Sequence, residues 1–313
     1  NMRKKLLDIF IILICVFIFI ELLVRRDLIY SSIIYALNIW VKNLIPALFP
    51  FFIISDILIN YNIIYFIPKR IKDFCKVIWG ITDNMLMILL LSMLSGFPSN
   101  ARNTRILYDT GKISLDEANH ILIFSHFSNP IFILTTVGVF FFKNEKLGII
   151  ILISHYISNF ILGIFFRNKF KHIGNGRKNI FKEVNIGSVF VGAVKRGIDT
   201  ILMICGIVVM FLMLASILIN LFNFNSYNAM IIKGLFEITI GIEALGYMEL
   251  SSIFKAVIAS MFLAFGGLSV HMQVVSQITD TKISYHYFLV GRLLQMIISG
   301  GITYFICLIL RVN

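Results

Sequence analysis

The stretch Ser95-Gly96-Phe97-Pro98-Ser99-Asn100-Ala101-Arg102 interrupts a very apolar part of the chain, and Tyr108-Asp109-Thr110-Gly111-Lys112-Ile113-Ser114 follows it. The apolar run before the interruption, Met85 to Leu94, has about half the length that a helix needs to cross a bilayer. Irregular backbone is tolerated at membrane depth only where protein or a water-filled cavity covers it. The stretch therefore predicts a re-entrant hairpin whose tip lies near mid-membrane.

A similar arrangement returns late in the chain. Gly266-Gly267-Leu268-Ser269-Val270-His271-Met272-Gln273 follows the apolar run Ile253 to Phe265, and Thr279-Asp280-Thr281-Lys282-Ile283-Ser284 resembles the first turn. Paired, interrupted apolar segments in two halves of a chain point to a transport site. We expect a second hairpin here, with its tip at residues 266–271, entering from the opposite side of the membrane.

The composition places the chain in the class of membrane proteins. It has 313 residues, of which 58% are hydrophobic and 14% are charged, whereas soluble domains average about 25% charged residues. The net charge of +12 comes from basic residues clustered between apolar runs, where they set orientation in the bilayer. It therefore does not predict nucleic-acid binding. The chain shows no catalytic triad, metal-binding spacing or P-loop, so we expect no enzyme and no bound cofactor.

The fold class that follows is an all-α, polytopic helical transporter. It would contain two inverted repeats, each with a re-entrant hairpin and a discontinuous helix. Residues 1–27 should form an N-terminal transmembrane helix that starts in the cytoplasm and is not cleaved. Residues 28–166 would be the first repeat, 167–187 a basic cytoplasmic loop, and 188–313 the second, inverted repeat.

A helix break should follow each hairpin. Asn129-Pro130 interrupts one apolar segment and predicts a half-helix whose N-terminus, with its partial positive charge, points into the protein. Ser299-Gly300-Gly301 lies at the corresponding distance after the second turn. Pro46 and Pro50 should also kink or break the segment 29–59, since each removes a backbone donor.

With these motifs in view, the chain resembles the sporulation integral membrane protein family called YlbJ or SpoVV. That family belongs to the nucleoside-recognition Gate domain group, which is related to concentrative nucleoside transporters. The resemblance covers about the whole chain and is carried by Pro46-Ala47-Leu48-Phe49-Pro50-Phe51-Phe52, Ser95-Gly96-Phe97-Pro98, Asn129-Pro130-Ile131-Phe132-Ile133-Leu134, Gly234-Leu235-Phe236-Glu237-Ile238-Thr239 and Phe265-Gly266-Gly267-Leu268-Ser269-Val270-His271-Met272-Gln273. It implies a sporulating bacterium and the movement of dipicolinic acid from the mother cell towards the forespore.

The candidate solute-binding residues share a position beside interrupted backbone or inside an apolar segment. They are Ser95, Gly96, Ser99, Asn100, Arg102, Ser128, Asn129, Glu237, Gly267, Ser269, His271 and Gln273. The serine and asparagine side chains could equally satisfy the broken backbone, which such residues do routinely. Both roles stay open, because one side chain can serve both.

The charged candidates each have an ordinary alternative. Arg102 could attract an anionic solute or anchor the hairpin at the membrane surface. Glu237 could carry a proton or a cation for coupling, or cap a short helix. Asp56 and Arg292 are expected to lie near the membrane surface, with Arg292 as an anchor. His126 and His155 have weaker cases than His271.

The function expected from these features is transport of a small anionic or aromatic solute by alternating access. The alternatives are a nucleoside-type carrier and a non-transport scaffold or regulator in spore-envelope assembly. The partners expected are the lipid bilayer and the solute; a coupling ion (H⁺ or Na⁺) and a homo-oligomer are left open. We expect a multi-pass protein of the cell membrane or the outer forespore membrane, with a cytoplasmic N-terminus.

Overall fold

The structure is a computed structural model that describes residues 2–170 and 185–312, and all elements in those ranges are helical. Most of the predicted basic loop, residues 167–187, lies outside the described residues. The elements before it are α1 Met2–Val24, α2 Arg26–Ile39, a π-helical stretch Trp40–Leu44, α3 Ile45–Asn60, a 3₁₀ turn Ile63–Phe66, α4 Lys69–Trp79, α5 Asp83–Ser95, α6 Ser99–Asp109, α7 Leu115–Phe124, the π-helix Phe132–Phe141 and α8 Glu145–Phe166. Those after it are α9 Ile186–Leu221, α10 Ser226–Phe236, α11 Ile238–Gly246, α12 Ser252–Phe265, α13 Gly267–Ile278 and α14 Tyr285–Ile309.

Six helical segments are long and apolar enough to cross a membrane, or seven if the bent pair α4 and α5 counts as one span. The multi-pass membrane class expected from composition is therefore supported. α4 meets α5 at 91°, so it lies across the direction of the first arm of the hairpin. Two large apolar clusters form the core. One packs α5 and α7 with Phe288 of α14, and the other packs α8, α12 and the π-helix Phe132–Phe141.

The predicted break at Pro46 and Pro50 is wrong. α2, the π-helical stretch Trp40–Leu44 and α3 form one continuous segment, Arg26–Asn60. Pro50 lies inside α3, and Pro46 lies in its first turn, directly after the π-helical stretch. The wider π-helical turn directly before it absorbs the change in backbone pairing.

The first hairpin consists of α5 and α6, which pack against each other on either side of Gly96-Phe97-Pro98. Gly96 has φ +77°, and a Cβ there would lie 2.7 Å from the backbone nitrogen of Asn129. The tip therefore needs glycine both for its turn and for its close approach to the break after α7. This agrees with the hairpin that the sequence indicates; its re-entry into a membrane stays a prediction.

The second hairpin does not lie where the sequence analysis expected it. α12 and α13 are separated by Gly266 alone, do not fold back on each other, and form one spanning segment, Ser252–Ile278. The tip predicted at residues 266–271 is instead a break inside this segment, where Gly266 has φ +91°. The hairpin of the second half consists of α10 and α11, which turn at Glu237.

Two glycines allow α10 and α11 to fold back within one residue. A Cβ on Gly241 would lie 2.1 Å from the Cα atom of Gly234, so the two backbones touch there. The second hairpin was expected at the wrong place because the late turn, Asp280-Thr281-Lys282-Ile283-Ser284, resembles the turn after the first hairpin. The late turn joins a broken helix to α14, whereas the similar first turn joins a hairpin to a broken helix.

Each half thus contains a hairpin, a broken helix and a long helix in that order. In the first half these are α5 with α6, α7 with the π-helix Phe132–Phe141, and α8; in the second they are α10 with α11, α12 with α13, and α14. The break expected at Ser299-Gly300-Gly301 is wrong, because α14 is continuous. A Cβ on Gly300 would lie 2.8 Å from the side chain of Met261, so this glycine permits close packing on α12.

Contacts at the two ends of the bundle show how the hairpins are directed. At one end, Lys112 Nζ donates to Asn62 Oδ1 at 2.8 Å and the Ser284 backbone N–H donates to Asn119 Oδ1 at 2.9 Å. At the other end of α14, Lys146 Nζ donates to the Leu310 carbonyl oxygen at 3.4 Å. The open end of the first hairpin lies with the first group. The open end of the second hairpin lies at the opposite end of the bundle, with Lys146 and Leu310, because α11 ends at Gly246 beside Phe141. The two hairpins therefore enter the bundle from opposite ends.

Candidate functional site

A narrow cavity lies where both hairpin tips and both helix breaks meet. The tip of the first hairpin, the break after α7, the tip of the second hairpin and the first turns of α13 each contribute to its wall. The lining residues are Leu44, Ala47, Leu48, Phe97, Ser128, Asn129, Phe132, Ile204, Val208, Glu237, Ile238, Thr239, Val270 and Gln273. Its volume is about 20 Å³, room for roughly one water. A solute with a ring can enter only after these elements move apart.

Several helix N-termini lie close to this cavity. α11 and the half-helix after Asn129 begin at its wall, α13 contributes Val270 and Gln273 from its first two turns, and α6 begins two residues after the lining residue Phe97. Each N-terminus carries a partial positive charge. Asn129 Oδ1 caps its half-helix by accepting from the Ile131 N–H at 2.8 Å. Glu237 Oε2 caps α11 by accepting from the Ile240 N–H at 3.1 Å. Within the described residues, no side chain caps α6 or α13, so these two helix N-termini near the cavity keep their partial positive charge.

Four of the residues singled out from the sequence line the cavity together: Ser128, Asn129, Glu237 and Gln273. Asn129 also donates its amide Nδ2 to the Ala47 carbonyl oxygen at 2.9 Å, which ties the first break to α3. Gly267 stands at the second break, where a Cβ would lie 3.2 Å from Ile238 Cγ2. Each hairpin tip therefore contacts a helix break. Gly96 at the first tip contacts Asn129 at the first break, and Ile238 at the second tip contacts Gly267 at the second break.

Several buried polar atoms near the interruptions lack hydrogen-bond partners among the described residues. They include both amide atoms of Asn100 and the hydroxyl oxygens of Ser128 and Ser269. Each such group costs about 1–3 kcal/mol while it stays unpaired. Ser95 and Ser99 differ, because their hydroxyls bond each other and Ser95 Oγ donates to the Leu91 carbonyl oxygen at 2.6 Å. Of Asn100, Ser128 and Ser269, only Ser128 lines the cavity.

Arg102 is not directed at the cavity but engaged in a buried ion pair. Its Nη2 lies 2.7 Å from Asp56 Oδ2, and Arg196 Nε lies 2.8 Å from the same oxygen. The expectation that Asp56 lies at the membrane surface is wrong, because its side chain is only 1% exposed. The carboxylate offsets the charge of Arg102 and joins the first hairpin to α3 and α9, so the geometry favours a structural role over attraction of solute.

His271 is likewise engaged. Its Nδ1 lies 2.7 Å from the Tyr285 hydroxyl and its Nε2 lies 3.0 Å from the Phe265 carbonyl oxygen. The ring therefore joins α12, α13 and α14 across the second break. It does not line the cavity, and its assignment to solute binding stays a prediction.

The prediction of Arg292 as a surface anchor is wrong. The side chain is fully buried, and its guanidinium donates to the Ile123 carbonyl oxygen at 2.8 Å and to the Ala264 carbonyl oxygen at 3.4 Å. Those carbonyls belong to the last turns of α7 and α12, the two half-helices that end at the breaks. A cation there complements the partial negative charge of both helix ends.

A second, wider crevice of about 420 Å³ lies beside the second hairpin. Leu212 and Ser216 of α9 line it, one and two turns beyond Val208 in the wall of the central cavity. Its polar residues are Ser31, Ser32, Tyr35, Ser216, Lys233, Glu243 and Tyr247. Tyr35 donates its hydroxyl to Glu243. The crevice and the cavity are separate, and they lie along neighbouring turns of α9.

Sequence reasoning did not single out Phe97 and ranked His126 below His271. Phe97 lines the cavity and stacks on the ring of His126, with centroids 5.1 Å apart and planes within 11°. The Ser125-His126-Phe127-Ser128 run before Asn129-Pro130 was the available signal, since polar residues beside a mid-span proline mark the interrupted backbone.

The comparisons with known proteins agree with the membrane class. No protein-family model matches the chain. No solved structure matches it. Over 296 residues the chain is 29% identical to a protein of Bacillus subtilis (strain 168) described as "Sporulation integral membrane protein YlbJ"; the similarity covers 83% of this chain and 72% of that protein. This similarity supports membership of the YlbJ family and identifies the chain as a homologue of an integral membrane protein of sporulation.

Proposed function

We propose that this protein transports a small anionic solute across a membrane by alternating access. The observation that carries the proposal is the single cavity at which two oppositely directed hairpin tips and two helix breaks meet. Interrupted helices at a shared site are the arrangement by which many transporters expose backbone groups to a solute. The two hairpins offer one movable element for each side of the membrane.

The charge of the solute follows from the helix ends. The N-termini of α6 and α13, which no side chain caps, lie near the cavity, and such ends bind carboxylate or phosphate groups. Arg292 already complements the C-terminal ends of α7 and α12. The partial positive charges at the helix N-termini therefore remain uncompensated and can bind the solute. Dipicolinic acid, the solute that the family resemblance implies, carries two carboxylates on a planar ring and fits this pattern. Transport of dipicolinic acid would run from the mother cell towards the forespore.

Movement is required, because the narrow cavity of about 20 Å³ holds roughly one water. Opening of the second hairpin would join the cavity to the polar crevice that contains Lys233 and Ser216. Opening of the first hairpin would join it to the other end of the bundle. A gradient of H⁺ or Na⁺ could drive this cycle, with Glu237 in the wall as the ionisable group.

A nucleoside-type solute is the second candidate. The described lining residues include one carboxylate, Glu237, and no lysine or arginine, and mostly apolar walls with a few neutral polar groups also suit an uncharged ring compound. A scaffold would not need a cavity lined by an unpaired hydroxyl group such as that of Ser128.

The test is uptake by liposomes that contain the purified protein. We expect saturable flux of labelled dipicolinate, inhibited by excess dipicolinate more strongly than by uridine; the reverse order would favour the nucleoside-type carrier. Gln273→Leu should reduce the flux because Gln273 lines the cavity. The matched control is Gln277→Leu on the same helix, outside the cavity. No flux of either solute with any imposed gradient, and no binding, would reject the transport proposal.

A further inference from the structure

His126 occupies the break between α7 and the π-helix Phe132–Phe141 and is fully buried. Asn159 Nδ2 donates to its backbone carbonyl oxygen at 2.6 Å, which fixes the residue in place. Neither ring nitrogen has a hydrogen-bond partner within the described ranges. A neutral imidazole always presents one donor and one acceptor. The donor and the acceptor of the ring are therefore both buried without a partner in this conformation. Because buried polar groups are almost always hydrogen-bonded, we expect them to have a partner in another conformation.

Aromatic rings and a glycine surround this imidazole. Phe97 stacks on one face, and Phe288 meets it edge-on with centroids 5.2 Å apart. Nε2 points to the second break, where a Cβ on Gly266 would lie only 3.3 Å away. The ring of His126 therefore lies where the two broken helices cross, next to the interrupted backbone at Gly266.

Phe97 separates His126 from the cavity. It belongs to the tip of the first hairpin, covers the imidazole and is also part of the cavity wall. Ser128, two residues after His126, lines the same cavity and has an unpaired hydroxyl. A displacement of the hairpin tip that moves Phe97 aside would join the imidazole to the space where the solute binds.

We propose that His126 is a solute-binding residue covered by Phe97, and that movement of the first hairpin uncovers it. Its N–H would then donate to a carboxylate or ring carbonyl oxygen of a planar solute, which would take the place of Phe97 against the imidazole face. This inference rests on the proposed transport function for its solute, but the covering of His126 by Phe97 can be tested without transport.

The first experiment measures carbethoxylation of individual histidines by diethylpyrocarbonate in the full-length protein in liposomes, with mass spectrometry to locate the label. In the wild type, exposed His286 should react and His126 should stay protected. In Phe97→Ala, His126 should react about tenfold faster or more, and saturating dipicolinate or uridine should slow it again. His286 serves as the internal control. Unchanged protection of His126 in Phe97→Ala would overturn the proposal, as would labelling that no solute slows.

The second experiment compares flux through His126→Leu and His286→Leu. Loss of a neutral hydrogen bond to solute corresponds to roughly a 2- to 13-fold weaker interaction, so His126→Leu should raise the half-saturating solute concentration about tenfold while His286→Leu leaves it unchanged. Equal flux and half-saturation in both variants would overturn the role of His126 while leaving transport intact. If the wild type carries neither solute, the transport proposal fails, and the labelling result still decides whether Phe97 covers His126.

Discussion

Arg292 Nη2 donates to the Ile123 carbonyl oxygen at 2.8 Å in the centre of the protein. The same guanidinium reaches the Ala264 carbonyl oxygen, the Asn159 amide oxygen and Gln295. A buried cation is costly unless hydrogen bonds and opposite charge compensate it. Here the ends of two broken helices supply that compensation. Arg292 therefore stabilises both breaks from a helix that is itself unbroken.

Replacement of Arg292 should destabilise the fold. In Arg292→Met, the acceptors at Ile123 and Ala264 lose their donor, and since each buried unpaired group costs about 1–3 kcal/mol, we expect a loss of about 2–4 kcal/mol in the free energy of unfolding. Chemical unfolding in detergent micelles measures this. Arg26→Met is the matched control, because Arg26 is 85% exposed. Equal stability of the two variants would contradict the assignment.

The buried pair of Asp56 and Arg102 should behave differently from its exposed partner Arg196. Asp56→Asn leaves the guanidinium of Arg102 buried without a counter-charge, and removal of one member of a buried pair costs about 3–5 kcal/mol. Arg196→Gln should cost about 0–1 kcal/mol, because this side chain is half exposed and screened.

The double variant Asp56→Asn with Arg102→Gln should recover part of the loss, since no uncompensated charge then remains. Unfolding of the wild type, Asp56→Asn, Arg102→Gln and the double variant side by side measures the coupling. Additive losses in the double variant would show that the two side chains do not compensate each other.

The first half of the site could be predicted from the sequence because its signals are local. A short apolar run, Ser95-Gly96-Phe97-Pro98 and Asn129-Pro130 indicate a hairpin tip and a helix break, and the structure brings Gly96 and Asn129 into contact. The second hairpin could not be located in the same way. Its turn is a single residue, Glu237, and it depends on contact between Gly234 and Gly241, which no local pattern reveals.

Long-range pairs explain the other errors. Asp56 and Arg102 are 46 positions apart, and Arg292 meets the Ile123 carbonyl from 169 positions away. Charged residues inside apolar segments indicate either a buried partner or a surface anchor. The sequence alone gives no sign of which carbonyl or carboxylate will lie opposite. Surface positions were therefore expected for Asp56 and Arg292, and tertiary pairing decided otherwise.

The turn at Glu237 predicts a sharp requirement for glycine. Gly241→Ala would place a Cβ 2.1 Å from the Cα atom of Gly234, and since this neighbour is backbone, α10 and α11 must separate. We expect a loss of at least about 1–3 kcal/mol in the free energy of unfolding, as for other overpacked sites. Gly206→Ala is the control, because no described atom lies within 4 Å of its added Cβ. Wild-type stability in Gly241→Ala would contradict the second hairpin.

Two substitutions at Glu237 should distinguish its role as a helix cap from a role in coupling transport to an ion gradient. Glu237→Gln keeps an oxygen that can accept from the Ile240 N–H, so stability should change little. Glu237→Ala removes the cap and should cost about 1 kcal/mol. If the carboxylate takes part in coupling, Glu237→Gln should also change the dependence of dipicolinate flux on an imposed proton gradient. Identical gradient dependence in wild type and Glu237→Gln would remove Glu237 from the coupling step.

The central claim is that one cavity between the two hairpins opens alternately to both sides of the membrane. Its most direct test is a single cysteine at Ser128, a cavity-lining residue, in a protein whose natural cysteines Cys15, Cys75, Cys205 and Cys307 are replaced by alanine. Reaction with a membrane-impermeant methanethiosulfonate is followed from each side of the liposome. We predict labelling from either side, slowed by dipicolinate on both. Labelling from one side alone, or labelling that dipicolinate leaves unchanged, would contradict the account.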